Sequence, residues 1–258
     1  MKPKPIAGVR DPLERSGKGL AISVRIDRKT YRSGSGEPIE ALRDLAFDLP
    51  QGTFTALIGP SGCGKTTTLR ILAGLDRDFE GDITPPLASK RIGYVFQEPR
   101  LLPWRTVEQN IRLALPPDRH GVDLGPLLAE LGIADFRSRF PSELSLGMAR
   151  RASLARAFAV KPEVLLLDEP FVSLDAATAE RLRHLLLDLW RKDPMTVLLV
   201  THNIREAVSL ADRIVLLSPR PGRVDGTYDL PLQRDPGSVE RIIGDLAARF
   251  PGAVQAVG

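Results

Sequence analysis

The chain has 258 residues, 43% hydrophobic and 26% charged, a balance that fits a soluble globular protein long enough for a real core. Its formal net charge of +4 includes five Lys/Arg against two acidic residues in the first twenty positions, so the body is near neutral and composition makes no case for nucleic acid. No apolar run approaches the ~18 residues of a membrane span, none follows the basic start as a secretory signal requires, and the single cysteine, Cys63, excludes an internal disulfide and suits a reducing cytoplasm.

Residues 1 to about 20 are rich in Pro, Gly and charge and read as a flexible N-terminal extension. From Leu20 to Pro50, the alternation Ile22-Ser23-Val24-Arg25-Ile26 and the run Leu45 to Leu49 predict antiparallel strands around a Ser33-Gly34-Ser35-Gly36 turn. Phe54 to Ile58 is apolar and β-prone, and the stretch Thr66 to Leu75 carries Leu69, Leu72 and Ala73 at helical spacing. Arg91 to Phe96 predicts another strand. Residues 106 to 160 lack strand signals and read as helical, broken at Pro116-Pro117, Gly125-Pro126 and Pro141. Strand character returns at Val164 to Asp168. A helix then places Leu182, Leu185, Leu186 and Leu189 on one face, and Val197 to Val200 follows as a buried strand. Asn203 with Glu206 resembles an N-cap pair ahead of Ile204, Ala207 and Val208. Ile214 to Leu217 is one more strand, and Val239 to Phe250 a short terminal helix. Alternating strands and helices predict an α/β fold, a mostly parallel sheet with a helical insertion between Gln97 and Pro162.

Between the strand at Phe54 and the helix at Thr66 lies Gly59-Pro60-Ser61-Gly62-Cys63-Gly64-Lys65-Thr66, a full match to G-x-x-x-x-G-K-[ST], the P-loop. Backbone N–H groups of such a turn, with the positive end of the following helix, face an anion. Lys65 can reach terminal phosphates, Thr66 can ligate Mg²⁺, and Thr67 extends the cradle. Cys63 is a small loop residue or a point where oxidation could block the site. At the end of the second apolar strand, Asp168 is placed to hold Mg²⁺ and Glu169 to polarise an attacking water, although apolar runs ending in Asp-Glu also occur as plain strand-to-turn junctions.

Leu144-Ser145-Leu146-Gly147-Met148, followed by a helix containing Leu154-Ala155-Arg156-Ala157, resembles the signature motif of ATP-binding cassette (ABC) ATPases. With it, the other motifs fall into family order from about Ile22 to Val224. Gln97, after Val95-Phe96, is similar to the Q-loop glutamine, Ser173-Leu174-Asp175 to the D-loop, and Thr201-His202 to the H-loop. Tyr31 sits where the family places an adenine-stacking aromatic; a surface tyrosine is the alternative. The resemblance implies a RecA-like P-loop NTPase core with a parallel sheet, an antiparallel β subdomain and an α-helical subdomain at about 98–161. These lie within an ATPase domain at 21–230, followed by a C-terminal extension at 231–258. It implies ATP and Mg²⁺ as cofactors, with Lys65, Gln97, Glu169 and His202 in catalysis and Thr66, Gln97 and Asp168 at the metal. Tyr31 and the run Gly59 to Thr67 would hold the nucleotide. Ser145, Gly147, Met148 and Asp175 would complete the ATP site of a second copy in a head-to-tail pair. Asp175 is otherwise an N-cap for the helix beginning near Ala176. His120 and His184 have no motif around them and read as structural or exposed.

Leu146 stands where the family usually has a glycine. With Ser145 as N-cap, Leu146 becomes the first helical residue, where an L-amino acid is comfortable, and the N–H groups of Gly147 and Met148 can still face a phosphate. The stretch Gln97 to Trp104, the signature, Glu169-Pro170-Phe171 and the Leu217 to Arg223 tail resemble importer cassettes of the nitrate, sulfonate and taurine group. In that group, residues past the Q-loop receive a cytoplasmic helix of the membrane permease. Leu102 and Trp104 would be the apolar contacts, with a partly exposed core-edge tryptophan as the alternative. The resemblance therefore implies a peripheral subunit on the cytoplasmic face of the membrane, partnered by a permease and a periplasmic binding protein, with no nucleic acid. A cassette of a lipid-trafficking or other non-import complex is the alternative. Only 47 residues separate Gln97 from Ser145, too few for the long coiled coils of DNA-repair relatives.

Overall fold

The computed structural model describes residues 21–32, 34, 36–231 and 235–251. The expected extension over 1–20, Ser33 and Ser35 of the expected turn, and the last seven residues lie outside them. Strands β1 (Ile22–Arg32), β2 (Pro38–Leu49) and β4 (Glu80–Thr84) form an antiparallel sheet in the order β2-β1-β4. In β1, Ile22, Val24 and Ile26 are buried while Ser23 and Arg25 are exposed, so one face meets the core and the other meets water. The sequence reading missed β4. It has one large apolar residue, Ile83, and Gly81 is required there: its φ is 135° and a Cβ would sit 2.2 Å from the Arg25 carbonyl oxygen. Its strand state comes from pairing with β1, not from its own propensity.

The second sheet runs β5 (Ile92–Val95), β6 (Val164–Asp168), β7 (Thr196–Thr201), β3 (Phe54–Ile58), β8 (Arg213–Leu217), β9 (Val224–Asp229). The first five are parallel and β9 is antiparallel to β8. Every residue of β3, β6 and β7 is buried, as expected of strands covered on both faces. Successive residues serve opposite layers. Leu165 and Leu167 pack with Leu154 of α4 (Leu146–Ala159), Leu182 and Leu186 of α5 (Ala176–Lys192) and Val208 of α6 (Ile204–Leu210). Leu166 packs on the other side with Leu69 of α1 (Lys65–Leu72) and with Ile26 and Leu45 of the antiparallel sheet.

The segment at 98–161 holds α2 (Val107–Arg112), α3 (Gly125–Glu130) and α4. The helical stretch is interrupted before Gly125-Pro126, which opens α3, and Pro141 opens a 3-10 turn, positions where a missing N–H costs nothing. The terminal helix α7 (Pro236–Arg249) starts earlier than Val239 because the Asp235 carboxylate accepts the Ser238 N–H at 2.7 Å. Its Ile242 and Leu246 enter the core on the α5 and α6 side, and Arg205 of α6 pairs with Glu240.

Strand register decides where chemistry can gather. Ile58 lies opposite Thr201, and Asp168 opposite Val200. The residues one step beyond three neighbouring strands, Gly59, Glu169 and His202, therefore emerge on one edge of the sheet, the carboxyl edge where open α/β folds bind ligands.

Candidate active site

The P-loop joins β3 to α1. Gly64 caps α1 with φ 100°, and a Cβ there would lie 2.3 Å from Leu42 Cδ2, so only glycine fits. No side chain caps this helix, which leaves its first N–H groups facing the cavity. Lys65 is buried and its Nζ donates to the carbonyls of Gly59 (2.7 Å) and Pro60 (2.9 Å). Cys63 is fully buried, and burial pushes its thiol pKa up, which disfavours the reactive thiolate and supports the small-loop-residue reading. Thr66 Oγ1 donates to Asp168 Oδ1 at 3.1 Å, and the Tyr94 hydroxyl donates to Oδ2 at 3.4 Å. Burial pushes the Asp168 carboxyl above its usual range, with the neighbouring Glu169 charge acting the same way against the Thr66 and Tyr94 bonds.

Glu169 has φ 44°, a left-handed conformation uncommon for a non-glycine residue and enriched at functional sites. Its N–H is held by the Val200 carbonyl at 2.9 Å. Its Oε2 lies 3.1 Å from His202 Nδ1 and 3.5 Å from Gln97 Nε2. Three side chains from the ends of β5, β6 and β7 thus meet at one carboxylate. Together with Tyr31, Ser61, Gly62 and Gly64 to Thr67, they line a cavity of about 570 Å³. Gly59, Pro60, Cys63 and Asp168 stand behind this lining, in contact with Lys65 or Thr66.

Tyr31 is 37% exposed, but it is not a free surface tyrosine. Its hydroxyl donates to Asp76 Oδ2 at 2.9 Å and lies 3.4 Å from Thr67 Oγ1. Lys29 Nζ sits 4.6 Å from the ring centroid and bonds Asp76 Oδ1 at 2.8 Å. The Lys29 side chain is 2% exposed, and Asp76→Ala leaves its ammonium only the Asp78 carbonyl and the exposed Asp78 carboxylate at 3.5 Å, a loss of about 2 kcal/mol at pH 7, read by urea unfolding. Burial opposes the charged form of Asp76, yet the Lys29 and Tyr31 hydrogen bonds win and hold its pKa below the usual range. This stability is therefore complete above the unfolded-state value of about 3.9 and is lost as pH falls through the lower folded value. The gap between wild type and Asp76→Ala narrows in that acid window. A gap independent of pH would show that the carboxylate charge is not its source.

The signature residues lie elsewhere. Ser145 caps α4, its Oγ accepting from Met148 N–H at 3.3 Å, and Leu146 is the first helical residue, 43% exposed. Asp175 caps α5 through Thr178 N–H at 3.0 Å. Ser145, Leu146, Gly147, Met148 and Asp175 line a separate cavity of about 400 Å³ that shares no lining residue with the P-loop cavity. Within one chain the two halves are not brought together. They are mechanically joined: Arg150 of α4 is buried and donates to the carbonyls of Phe96, Gln97 and Val172, so the signature helix holds the backbone that carries Gln97.

Trp104 is 69% exposed and is not among the apolar residues packed against either core, which disfavours a partly exposed core-edge position. Buried Asn110 pins its loop, accepting from Leu102 N–H at 2.7 Å and donating to the carbonyls of Leu102, Arg105 and Thr106. Residues missed by the motif reading include Tyr94 at Asp168 and Arg220 on the P-loop cavity. Glu206 does not close a capping box. Asn203 caps α6 alone, while the Glu206 carboxylate accepts from Thr201 Oγ1 at 2.7 Å and faces Arg183 at 3.6 Å. His120 bonds the Leu115 carbonyl at 3.0 Å and His184 is exposed, as expected of residues outside any motif.

A family model described as ABC transporter matches residues 42–172. An aliphatic sulfonates import ATP-binding protein of Burkholderia cenocepacia is 42% identical over 98% of this chain and 91% of its own length. The protein of the same description in Bacillus licheniformis is 43% identical over 83% and 88%. Among solved structures, a dimeric post-hydrolysis state of an ATP-binding cassette bound to ADP and Pi has a TM-score of 0.71 and 31% identity, covering 81% of this chain and 99% of that one. With a P-loop, a carboxylate–histidine pair and a separate signature helix already in place, these likenesses fix the family: the chain belongs to the ABC transporters, as their ATP-binding, ATP-hydrolysing cassette.

Proposed function

We propose that this cassette powers an importer of aliphatic sulfonates or a similar small solute, as the subunit peripheral to the membrane on its cytoplasmic face. The observation that carries the chemistry is the meeting of Glu169, His202 and Gln97 at the edge of the P-loop cavity. Glu169 accepts a proton from water as the water oxygen bonds to the γ-phosphorus and the bond to the ADP oxygen breaks. His202 donates to the γ-phosphate and is oriented by Glu169. Lys65 exchanges the Gly59 and Pro60 carbonyls for phosphate oxygens, and the amides of Gly62 to Thr67 take the rest of the charge. Tyr31 stacks on adenine.

Thr66 and Asp168 offer a hard oxygen pair 3.1 Å apart, and no group of three His, Cys, Asp or Glu forms a cation cage among the described residues. That donor set fits Mg²⁺, which takes one or two protein oxygens and completes its shell with phosphates and water, with Gln97 beside it. When bound it would neutralise charge on the β- and γ-phosphates.

Head-to-tail pairing of two copies brings Ser145, Gly147, Met148 and Asp175 of one to the γ-phosphate held by the other. The division into an ATPase domain at 21–230, with its helical subdomain at about 98–161, and a C-terminal extension at 231–258 belongs to the same reading. No described helix is long and apolar enough to cross a membrane, so the solute path is supplied by a permease, fed by a periplasmic binding protein. Trp104 on its pinned loop is the apolar contact for that permease. Trp104→Ala leaves ATP affinity unchanged and cuts permease-stimulated ATPase and solute uptake about tenfold or more, the loss of an exposed aromatic anchor at an interface. Full coupling in this variant would remove Trp104 from the contact. The reading as a whole is tested in proteoliposomes holding the permease and this chain. ATP turnover rises when binding protein loaded with an alkanesulfonate is enclosed, and a response only to another solute class would reassign the substrate.

A further inference from the structure

The loop joining β8 to β9, Ser218-Pro219-Arg220-Pro221-Gly222-Arg223, has no part in the chemistry above, yet Arg220 lines the same cavity as Ser61, Gly62 and Ala41. The loop is docked on both walls of that cavity. Gly222 N–H donates to the Ala41 carbonyl at 3.0 Å and its carbonyl accepts from Arg43 N–H at 3.1 Å, which fixes it to β2. On the other side it presses on the P-loop so closely that a Cβ on Gly222 would lie 1.9 Å from the Cys63 carbonyl oxygen. The loop also closes on itself: Ser218 N–H donates to the Arg223 carbonyl at 3.0 Å, and Arg223 N–H to Ser218 Oγ at 3.1 Å. Pro219 and Pro221 restrict φ on either side of Arg220. The backbone on either side of Arg220 is therefore fixed to β2 and to the P-loop.

Charge distinguishes this arginine from its neighbours. Arg223 faces Asp44 at 3.5 Å, and Arg43 is paired with Glu40. Arg220 has neither an ion pair nor a hydrogen bond among the described residues, and its side chain is exposed to the cavity. Lys65, the other strong cation on this wall, is buried at the root of the loop. An unpaired guanidinium on a fixed backbone, next to an anion cradle, suits bidentate charge-assisted bonding to phosphoryl oxygens.

We propose that Arg220 is a further nucleotide-binding residue of this cassette, its guanidinium engaging the β- and γ-phosphate oxygens of bound ATP. The proposal rests on the ATP-site reading and adds to it a contact from outside the P-loop, contributed by the β8–β9 loop. Titration calorimetry on the isolated chain, with a non-hydrolysable ATP analogue, ADP and AMP, tests it. Arg220→Ala weakens the triphosphate and ADP about tenfold, the scale of a charge-assisted hydrogen bond, and AMP less than about twofold. Arg220→Lys recovers part of the loss, and Arg223→Ala leaves all three affinities unchanged. Unaltered triphosphate affinity in Arg220→Ala overturns the proposal while leaving the ATP site intact. An equal loss for AMP overturns it by assigning the contact to the nucleoside. A loss in Arg223→Ala as large as in Arg220→Ala overturns it by assigning the effect to loop structure. If the wild-type chain bound no triphosphate at all, the underlying reading would fall with it.

Discussion

Glu169→Gln lowers steady-state ATP hydrolysis by about 10³-fold, within the 10²–10⁴ range of a removed general base, and leaves ATP affinity within about threefold of wild type. Glutamine keeps the size of the side chain and can still hydrogen-bond His202, which lies 3.1 Å from Glu169 Oε2. What it cannot do is accept the proton released as water attacks phosphorus. The backbone is not at issue, since φ 44° is a strain both residues meet and the N–H bond to Val200 is unaffected by the side chain. Bound nucleotide still engages Lys65 and the P-loop amides, so the variant accumulates the ATP-bound state. Rapid-quench measurement of single-turnover hydrolysis separates this chemical defect from slow product release. A variant within tenfold of wild type in that assay would show that another group takes the proton.

Ser145→Arg lowers hydrolysis about a hundredfold or more while the isolated chain binds ATP as wild type does, because in the proposed head-to-tail pair the loss falls on charge stabilisation supplied across the seam. The geometric ground is that Ser145 and Gly147 line a cavity sharing no residue with the P-loop cavity, so the substitution falls outside the lining of its own chain's P-loop site. Removing the Ser145 cap from α4 costs about 1 kcal/mol of helix stability, too little to unfold the chain. The sharper readout is a mixture. Combining Ser145→Arg with Lys65→Ala chains, each nearly inactive alone, creates heterodimers in which one of two sites has an intact P-loop and an intact signature. Random pairing then restores roughly a quarter of the sites, as follows from two-fold symmetry. If mixing restored nothing and Ser145→Arg weakened ATP binding to the monomer, the site would be built within one chain.

Some of this protein is legible in short stretches of chain because the physics there is local. The P-loop is eight consecutive residues, and Gly64 can be named in advance because its position demands a positive φ. Strands β3, β6 and β7 announce themselves as continuous apolar runs because they are buried on both faces. Ser145 and Asp175 are readable as caps because a cap needs only its own next three residues. By contrast, β4 and β9 were invisible. Each is a short edge strand, Glu80-Gly81-Asp82-Ile83-Thr84 and Val224-Asp225-Gly226-Thr227-Tyr228-Asp229, with polar and glycine residues whose extended state comes from the one partner strand each has. Glu206 was misplaced for a related reason: three residues after an N-cap it fits a local motif, but Thr201 and Arg183 compete for its carboxylate.

The amino-acid sequence by itself determined which candidate groups this protein has for a nucleotide site: an amide-rich cradle, Lys65, Thr66, two adjacent carboxylates, Gln97 and His202, each recognisable from its neighbours in the chain. Only the tertiary structure decided which of them meet. Glu169, His202 and Gln97 converge because β5, β6 and β7 are adjacent, parallel and registered so that their ends coincide. The signature helix, although bolted to Gln97 by Arg150, faces another cavity, and Arg220 joins the lining of the P-loop cavity from a loop more than 150 residues away in sequence. Strand order, register and loop docking are set by burial summed over the whole core, and no local window of the chain contains that sum.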